Sequence, residues 1–281
     1  MKEIHFKSYD YIDLSGILVK NKENAQTDKV MLFVSGKSSN ATGNLKYINE
    51  IRGFTENIDF LSINLRYHDP STGGFLRGTT LGVKEAFDVV GAINTLAEMG
   101  YTKVVVYGYS IGGAATINAL GKYSNLLSKE IKVEGIIVEK TYANLRELLE
   151  RSHGNLFSNL GVSAVAPFVG AKEFFPKVLP VSVMQTDLSI KLGEKIGGFE
   201  VSGNDPAETI KNINVPVIVI GSEHGDIFTT ENDAEILANN ARHSKLIIAK
   251  NGSTSLIERH SPEFDNTIVI GSMIQFVNSL L

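Results

Sequence analysis

One serine of the chain stands in a sequence pattern that could make it a nucleophile. Ser110 is the centre of the stretch Gly-Tyr-Ser-Ile-Gly at 108–112, which follows an apolar run at 103–107 and precedes a helical pattern that begins near Ile111. A serine in a sharp turn between a strand and a helix is held in a strained conformation, and flanking glycines lack the β-carbons that would collide with both elements. A phosphate-binding turn is the alternative, but the P-loop lysine is missing and a dinucleotide fingerprint is expected at an earlier turn. We therefore predict that Ser110 is a nucleophile.

A second polar stretch could stabilise the negative charge that such a nucleophile creates. Residues 35–40, Ser-Gly-Lys-Ser-Ser-Asn, follow the first long apolar run at 30–34. Acyl transfer requires two backbone N–H groups aimed at the tetrahedral oxyanion. We predict that Ile111 supplies one of them and that this loop supplies the other, from Lys37, our choice, or from Ser38. A plain glycine–serine turn is the alternative interpretation of the loop.

Short runs of apolar, mostly β-branched residues alternate with helical patterns along the chain. Continuous apolar runs are typical of strands that are buried on both faces, as in a parallel sheet. The alternation therefore predicts an α/β fold with a doubly wound, mostly parallel sheet. We expect residues 4–6 and 14–19 to form an antiparallel ribbon at its edge. The other predicted strands lie at 30–34, 58–64, 103–107, 133–138, 215–220 and 245–249, and the main predicted helices at 81–99, 232–240 and 263–280.

The stretch between the predicted strands at 133–138 and 215–220 is far longer than a strand-to-strand crossover requires. Its composition predicts a helical cap at 141–204, over the carboxyl ends of the strands, with 1–140 and 205–281 as the core domain. The apolar residues of the cap either form its own interior or line a pocket for an apolar substrate.

Composition and charge exclude several kinds of function. The chain has no cysteine, so disulfides, thiolate metal sites and cysteine nucleophiles are ruled out. A net charge of −4, with acidic and basic residues interspersed, does not indicate a nucleic-acid or anionic-membrane partner. The longest uncharged run, at 152–171, is too polar and too interrupted by glycine and proline to span a bilayer. Because the first residues also lack the apolar core of a signal peptide, we expect a cytoplasmic protein.

Together these motifs resemble the α/β-hydrolase superfamily, and specifically its small serine-hydrolase branch related to prolyl-oligopeptidase-like and Bem46-like proteins. The resemblance covers nearly the whole chain. Residues 33–37 are similar to the family's strand ending in His-Gly, with Ser35 in place of the histidine, and 58–67 resemble the next strand and its arginine-containing loop. Residues 103–113 match the family's serine turn closely, and 204–217 resemble the segment that leads into the strand before the triad acid. The resemblance implies the α/β-hydrolase fold, with the cap inserted before this acid-bearing strand.

The resemblance places the acid of a catalytic triad just after the strand at 215–220. The family pattern there is Gly-x-x-Asp, but His224 occupies the aspartate position. Asp226 lies two residues later and precedes an apolar pair, as the family's aspartate does. A triad acid accepts the imidazole N–H and so fixes the tautomer of the histidine. We expect Asp226 to be this acid, with Glu223 as the second choice and an exposed polar loop as the alternative interpretation.

Ser255 stands where the resemblance places the triad histidine. A serine cannot act as a general base at neutral pH, so another histidine is needed. Our first choice is His260, which lies in the same loop and keeps the chain order serine, acid, histidine; an exposed residue at a helix start is its alternative interpretation. The other candidates are His224, in the loop of the predicted acid, and His153, in the predicted cap.

Two functions from different classes are consistent with these residues. The first is a serine hydrolase that cleaves a carboxylic ester, thioester or activated amide of a small-molecule acyl substrate through an acyl-enzyme on Ser110, without a metal or an organic cofactor. The second is a non-catalytic binding or regulatory protein of the same fold that has lost its base. Ser35 and Ser255, in place of two family histidines, favour the second function. The intact glycine-flanked serine favours the enzyme, because a strained turn has no use in a decayed site.

Overall fold

Eight strands form a single sheet in the computed structural model, which describes residues 1–21, 26–36, 39–68, 71, 79–151, 191, 194–195, 198–225, 228–249 and 267–281. The strands are β1 (Lys2–Lys7), β2 (Asp13–Val19), β3 (Lys29–Val34), β4 (Asp59–Asn64), β5 (Lys103–Tyr109), β6 (Lys132–Glu139), β7 (Val217–Ser222) and β8 (Ser244–Ala249). Their order in the sheet is β1-β2-β4-β3-β5-β6-β7-β8. Neighbours from β4 to β8 are parallel, and β1 and β2 form an antiparallel ribbon at one edge. The predicted mostly parallel sheet and its ribbon are confirmed.

Helices cover both faces of this sheet. Those of the described residues are α1 (Leu45–Ile51), α2 (Glu85–Glu98), α3 (Ile111–Lys122), α4 (Leu145–Arg151), α5 (Pro206–Thr209), α6 (Glu231–Asn240) and α7 (Thr267–Leu280). Apolar side chains of α2, α3, α5 and α6 pack on one face, and those of α1 and α7 pack on the other. The sheet is therefore doubly wound, as predicted. Among the described helices, none is both long and apolar enough to cross a bilayer.

The central strand β5 shows why strands in the middle of the sheet contain continuous apolar runs. Successive side chains of a strand point to opposite faces, so Val104 and Val106 contact the layer of α2 and α3, whereas Val105 and Tyr107 contact the layer of α1 and α7. All four are buried, because both faces are covered. The carboxyl ends of the parallel strands lie at one edge of the sheet, and the loops that follow β3, β5, β6 and β7 meet there.

The helix predicted at 81–99 begins four residues later than predicted, at Glu85. Leu81 and Gly82 have positive φ angles, of 56° and 90°, which are incompatible with a right-handed helix. The Glu85 carboxylate is buried and accepts hydrogen bonds from the N–H groups of Thr80 (2.8 Å) and Gly82 (2.9 Å). A turn closed by this carboxylate therefore replaces the first predicted helical turn.

Two short helices were missed by the sequence analysis. Helix α1 has 7 residues and α5 has 4, so each offers too few positions for an apolar period to be recognised. The predicted start of the helix after Ser110 is correct, because α3 begins at Ile111.

Candidate active site

Ser110 lies in the turn between β5 and α3. Its backbone has φ 54° and ψ −118°, a conformation that residues other than glycine rarely adopt. The Ser110 N–H donates to the carbonyl of Glu139 on β6 (2.8 Å), and the Ser110 carbonyl accepts from the N–H of Gly113 (3.0 Å). The strained turn that the sequence predicts at this serine is present, and hydrogen bonds to the next strand and within α3 hold it. We refer to residues 108–112 as the elbow.

The glycines of the elbow have no room for a side chain. A β-carbon on Gly108 would lie 2.6 Å from the carbonyl oxygen of Gly112, and one on Gly112 would lie 2.2 Å from the carbonyl oxygen of Val34. On the next residue, Gly113, a β-carbon would lie 1.9 Å from Thr141 Oγ1. All three distances are far below van der Waals contact. The glycines are therefore needed to let β3, β5 and α3 approach one another at the turn, for the steric reason that the sequence analysis gave.

The loop after β3 lies directly beside the elbow. A β-carbon on Gly36 would lie 3.2 Å from Ser110 Cβ and 2.8 Å from Tyr109 Cδ1. On the other side of Ser110, Ile111 is the first residue of α3, so its N–H is one of those for which a helix provides no internal acceptor. The two segments predicted to form an oxyanion hole are thus adjacent to Ser110. The second predicted donor, Lys37 or Ser38, lies outside the described residues.

Ser110 is half-buried, and no described residue forms a hydrogen bond with its Oγ. Three residues to which the sequence analysis assigned roles, Asp226, His260 and His153, lie outside the described residues. Their roles as acid, base and alternative base remain predictions.

The two remaining candidates, Glu223 and His224, directly follow β7 and have exposed side chains. The Glu223 N–H donates to the carbonyl of Ala249 (3.0 Å), and the His224 N–H donates to Ser222 Oγ (3.3 Å). Strand β6 lies between β7 and β5, so at about 4.8 Å per strand the end of β7 is roughly 10 Å from that of β5. The structure thus brings Glu223 and His224 to the edge of the sheet that carries Ser110, but neither forms a hydrogen bond with that serine.

A buried carboxylate that the sequence analysis did not single out lies next to the elbow. Glu139 is the last residue of β6, is paired in register with Tyr109 and has no solvent exposure. The Tyr107 hydroxyl donates a 2.7 Å hydrogen bond to Glu139 Oε2. Burial, together with this nearby carboxylate, raises the pKa of Tyr107 well above its usual value. No signal in the sequence singles out Glu139, because β6 also contains the charged residues Lys132 and Glu134.

Asp233 ties the segment between β7 and α6, in which the predicted acid lies, to helix α4. Its buried carboxylate accepts hydrogen bonds from the N–H groups of Thr230 (2.6 Å) and Ala143 (2.9 Å). It also accepts one from the guanidinium of Arg151 (3.1 Å), the last residue of α4, which donates in addition to the carbonyl of Phe228 (3.3 Å). The segment is therefore held from both sides by charge-assisted hydrogen bonds.

An apolar cluster lies against the first turn of α3, apart from the cores on the two sheet faces. Within it, the Tyr142 hydroxyl donates a hydrogen bond to the carbonyl of Leu81, and burial raises the pKa of Tyr142 well above its usual value. The described ends of the predicted cap thus pack beside the helix that follows Ser110. The cluster consists of Leu81, Val83, Ile111, Ala114, Tyr142, Leu145, Leu148, Leu149, Phe199 and Val201.

This geometry suits attack by a serine on a carbonyl group. Ser110 is half-buried and directly precedes α3, whose first N–H groups and positive dipole end favour negative charge close to them. The described residues contain no group of three or more His, Cys, Asp or Glu side chains that could hold a metal ion.

Comparison with known proteins finds similarity in three dimensions. No protein-family model and no curated protein sequence matches the chain. The structure of the Pyrococcus furiosus esterase Pf2001 is 17% identical, with a TM-score of 0.61 over 99% of this chain and 90% of that one. Est1E from Butyrivibrio proteoclasticus, solved with bound ferulic acid, is 13% identical, with a TM-score of 0.62 over 98% of both chains. A thermophilic esterase from Thermogutta terrifontis is 16% identical, with a TM-score of 0.62 over 100% of this chain and 99% of that one.

At these identities the similarity establishes the fold. The chain has the α/β-hydrolase fold, and the predicted fold class is confirmed. The resemblance to the prolyl-oligopeptidase-like and Bem46-like branch remains a prediction.

Proposed function

We propose that the chain is a serine esterase that cleaves a carboxylic ester of a small-molecule acyl substrate, with Ser110 as its nucleophile. The observation that carries this proposal is the conformation of Ser110, a half-buried non-glycine residue at φ 54°. The esterases that share the fold add support, since a strand–serine–helix turn in this fold is the usual place of a nucleophile.

In the proposed mechanism Ser110 Oγ attacks the ester carbonyl and passes its proton to a histidine. The N–H of Ile111 and an N–H of the loop after β3, predicted at Lys37, stabilise the oxyanion. The histidine, predicted to be His260, then gives the proton to the leaving alcohol, while Asp226 holds its tautomer. Water, activated by the same histidine, attacks the acyl-enzyme and releases the acid. His224 and His153 are the other candidates for the base, and Glu223 is the other candidate for the acid.

Local strain distinguishes this proposal from a non-catalytic protein of the same fold. A serine at positive φ costs about 1–3 kcal/mol of stability, and the residues packed around it must compensate for that cost. Binding a ligand elsewhere on the fold does not require a serine in this conformation. Catalysis does, because the turn lifts the hydroxyl out of the sheet toward the substrate.

Labelling with a fluorophosphonate probe tests the proposal without a known substrate. We expect the wild-type protein to be labelled and Ser110→Ala to be unlabelled. Ser124→Ala, a change at an exposed serine in a short helical turn after α3, is the matched control and keeps full labelling. A parallel series with His260→Ala, His224→Ala and His153→Ala identifies the base, because the variant of the true base loses labelling. Asp226→Asn and Glu223→Gln test the acid in the same way.

Hydrolysis of p-nitrophenyl esters and of acyl thioesters by the same variants then distinguishes ester from thioester cleavage. Absence of labelling and of hydrolysis in the folded wild-type protein would overturn the proposal and favour a binding protein that has lost its base. Labelling that survives in Ser110→Ala would assign the reactivity to another residue.

A further inference from the structure

Three buried polar side chains join the end of β3 to β4 next to the candidate active site. Asn44 Nδ2 donates hydrogen bonds to Ser35 Oγ (2.8 Å) and to Ser62 Oγ (2.9 Å). Each of the three side chains is at most 1% exposed. Because buried hydrogen bonds of this kind fix the groups they join, the position of Ser35 is tied to β4 through Asn44.

The position of Asn44 in the chain shows that its side chain serves these serines rather than the neighbouring helix. Asn44 is the N-cap residue of α1, where an asparagine usually accepts a hydrogen bond from a helix N–H with its Oδ1. Here its side chain makes no capping hydrogen bond, and the buried Oδ1 has no hydrogen-bond partner among the residues that the structure describes. A buried polar atom without a partner is unfavourable and needs an explanation, and the two hydrogen bonds that Asn44 Nδ2 donates to the serines provide one.

Ser35 connects this network to the elbow. It immediately precedes Gly36, whose added β-carbon would meet Ser110 Cβ at 3.2 Å. The carbonyl oxygen of Ser35 packs against Gly112, since a β-carbon there would lie 2.6 Å from it. Ser35 is thus held by Asn44 through its hydroxyl and lies against the elbow through its backbone. The serine that replaces the family's histidine at this position therefore has a structural partner of its own.

The far end of the same loop is held by a second buried asparagine. Asn64 Oδ1 accepts the N–H of Ala41 (2.7 Å), and Asn64 Nδ2 donates to Ser15 Oγ (2.8 Å). Between these anchors the N–H of Ser39 donates to the carbonyl of Gly36 (3.2 Å). The loop is therefore pinned to the neighbouring strands at both ends.

We propose that Asn44 is a positioning residue, which acts through Ser35 to set where the start of the loop after β3, at Ser35 and Gly36, lies relative to Ser110. This inference rests on the proposed function, because the loop is the predicted source of the second oxyanion donor. In a preorganised site, a donor displaced by a fraction of an ångström loses most of its stabilisation of the transition state while substrate binding changes little.

The test compares Asn44→Ala, Ser35→Ala and the double variant with Asn94→Ala. Asn94 is a matched control, because its side chain also holds a loop, at residues 126–128. Its Nδ2 donates a hydrogen bond to the Leu126 carbonyl (3.1 Å), and its Oδ1 accepts one from the Ser128 N–H (2.8 Å). We expect the kcat of ester hydrolysis to fall by about 10- to 100-fold in both single variants with KM nearly unchanged. The kcat of the double variant should be no lower than that of the less active single variant, because both changes break the same connection. Asn94→Ala should keep the wild-type kcat.

Hydrogen exchange of the amides of Gly36 and residues 39–44 is the readout that does not depend on activity. We expect exchange to become about 10-fold faster in Asn44→Ala and unchanged in Asn94→Ala. If Asn44→Ala does not fold, Ser35→Ala, which removes a single hydroxyl, provides the same two measurements. Wild-type kcat in folded Asn44→Ala, or losses that simply multiply in the double variant, would overturn the inference. A wild type without esterase activity would overturn the proposed function instead, and the exchange rates would still decide whether Asn44 positions the loop.

Discussion

Gly36 and Ser110 approach so closely that one methyl group added to Gly36 would be in tight contact with Ser110. A β-carbon on Gly36 would lie 3.2 Å from Ser110 Cβ and 2.8 Å from the ring of Tyr109. Since Gly36 does not have a positive φ, an alanine is compatible with its backbone conformation, and the effect of adding one would come from crowding alone.

We therefore expect Gly36→Ala to fold and to lose about 100-fold in kcat, because the loop has to move away from the nucleophile. Steady-state hydrolysis of an activated ester measures the loss, and the rate of fluorophosphonate labelling should fall in parallel. Gly53→Ala is the matched control, since a β-carbon on Gly53 would have no heavy atom within 4 Å. A Gly36→Ala variant as active as Gly53→Ala would show that the loop has no part in the chemistry.

The strain at Ser110 predicts that removing this serine can stabilise the protein. A residue other than glycine at φ 54° costs about 1–3 kcal/mol, whereas glycine adopts this conformation without strain. We expect the free energy of unfolding, measured in urea, to be about 1 kcal/mol higher for Ser110→Gly than for Ser110→Ala, after the entropy of the unfolded glycine is subtracted.

The same pair of substitutions at Ser124, an exposed serine that opens a short 3-10 turn without a positive φ, gives the reference. There the glycine variant should be about 0.5–1 kcal/mol less stable than the alanine variant. If the glycine variant is less stable than the alanine variant at both positions, the backbone at Ser110 is not strained.

The sheet and the elbow could be predicted from the sequence because both depend on short-range physics. Residues 104–107 of β5 are all buried and hydrophobic since both faces of the strand are covered, and this is visible in four consecutive letters. Gly108 flanks Ser110 for a steric reason that acts within five residues, because a β-carbon there would meet Gly112 and Gly113. The neighbour of Gly112, Val34, is distant in the chain, but the glycine itself is visible at its fixed spacing from the serine.

The role of Asn44 could not be predicted, because it depends on a residue distant in the chain. In a stretch rich in glycine, serine and asparagine, an asparagine before a helix indicates a cap or a turn. Its burial follows from the pairing of β3 with β4, which brings Ser62 within 2.9 Å. Glu139 is a similar case, since only the packing of Tyr107 against it reveals that this charged residue is buried.

Asp233 is expected to be important for stability because it pairs groups from three segments. Its carboxylate accepts from the backbone at Thr230 and Ala143 and from Arg151, whose side chain is only 24% exposed. Removing the acid in Asp233→Ala leaves the Ala143 N–H without its partner and takes from the Arg151 guanidinium its buried carboxylate, so that this guanidinium keeps only the Phe228 carbonyl and the exposed Glu147. We expect a loss of about 3 kcal/mol in the free energy of unfolding, measured in urea at neutral pH.

Glu231→Gln controls for the charge at the start of the same helix. Glu231 lies in the first turn of α6 and is exposed, so its only expected contribution is with the helix dipole, about 0.5 kcal/mol. If Asp233→Ala and Glu231→Gln lower the free energy of unfolding by the same small amount, the hydrogen bonds of Asp233 do not hold the segment between β7 and α6.

Tyr107 predicts a specific dependence of stability on alkaline pH. Burial and the neighbouring Glu139 raise the pKa of Tyr107 well above its usual value, so it stays protonated in the folded protein after the unfolded chain has ionised. Above about pH 10 the unfolded state therefore binds one proton fewer than the folded state, and this tyrosine lowers the free energy of unfolding by about 1.4 kcal/mol for each further pH unit.

In Tyr107→Phe this pH-dependent contribution to the free energy of unfolding disappears. At pH 8 the variant should be about 1–3 kcal/mol less stable than wild type, because Glu139 loses the hydroxyl that donates to it at 2.7 Å. Above pH 10 its stability should fall less steeply, so that the two curves approach each other. Urea unfolding at several pH values between 8 and 11 measures this, with Tyr11→Phe, at a tyrosine that is 81% exposed, as the control whose slope matches wild type. Parallel curves for Tyr107→Phe and wild type would mean that Tyr107 ionises in the folded protein as readily as in the unfolded chain, contrary to its burial against Glu139.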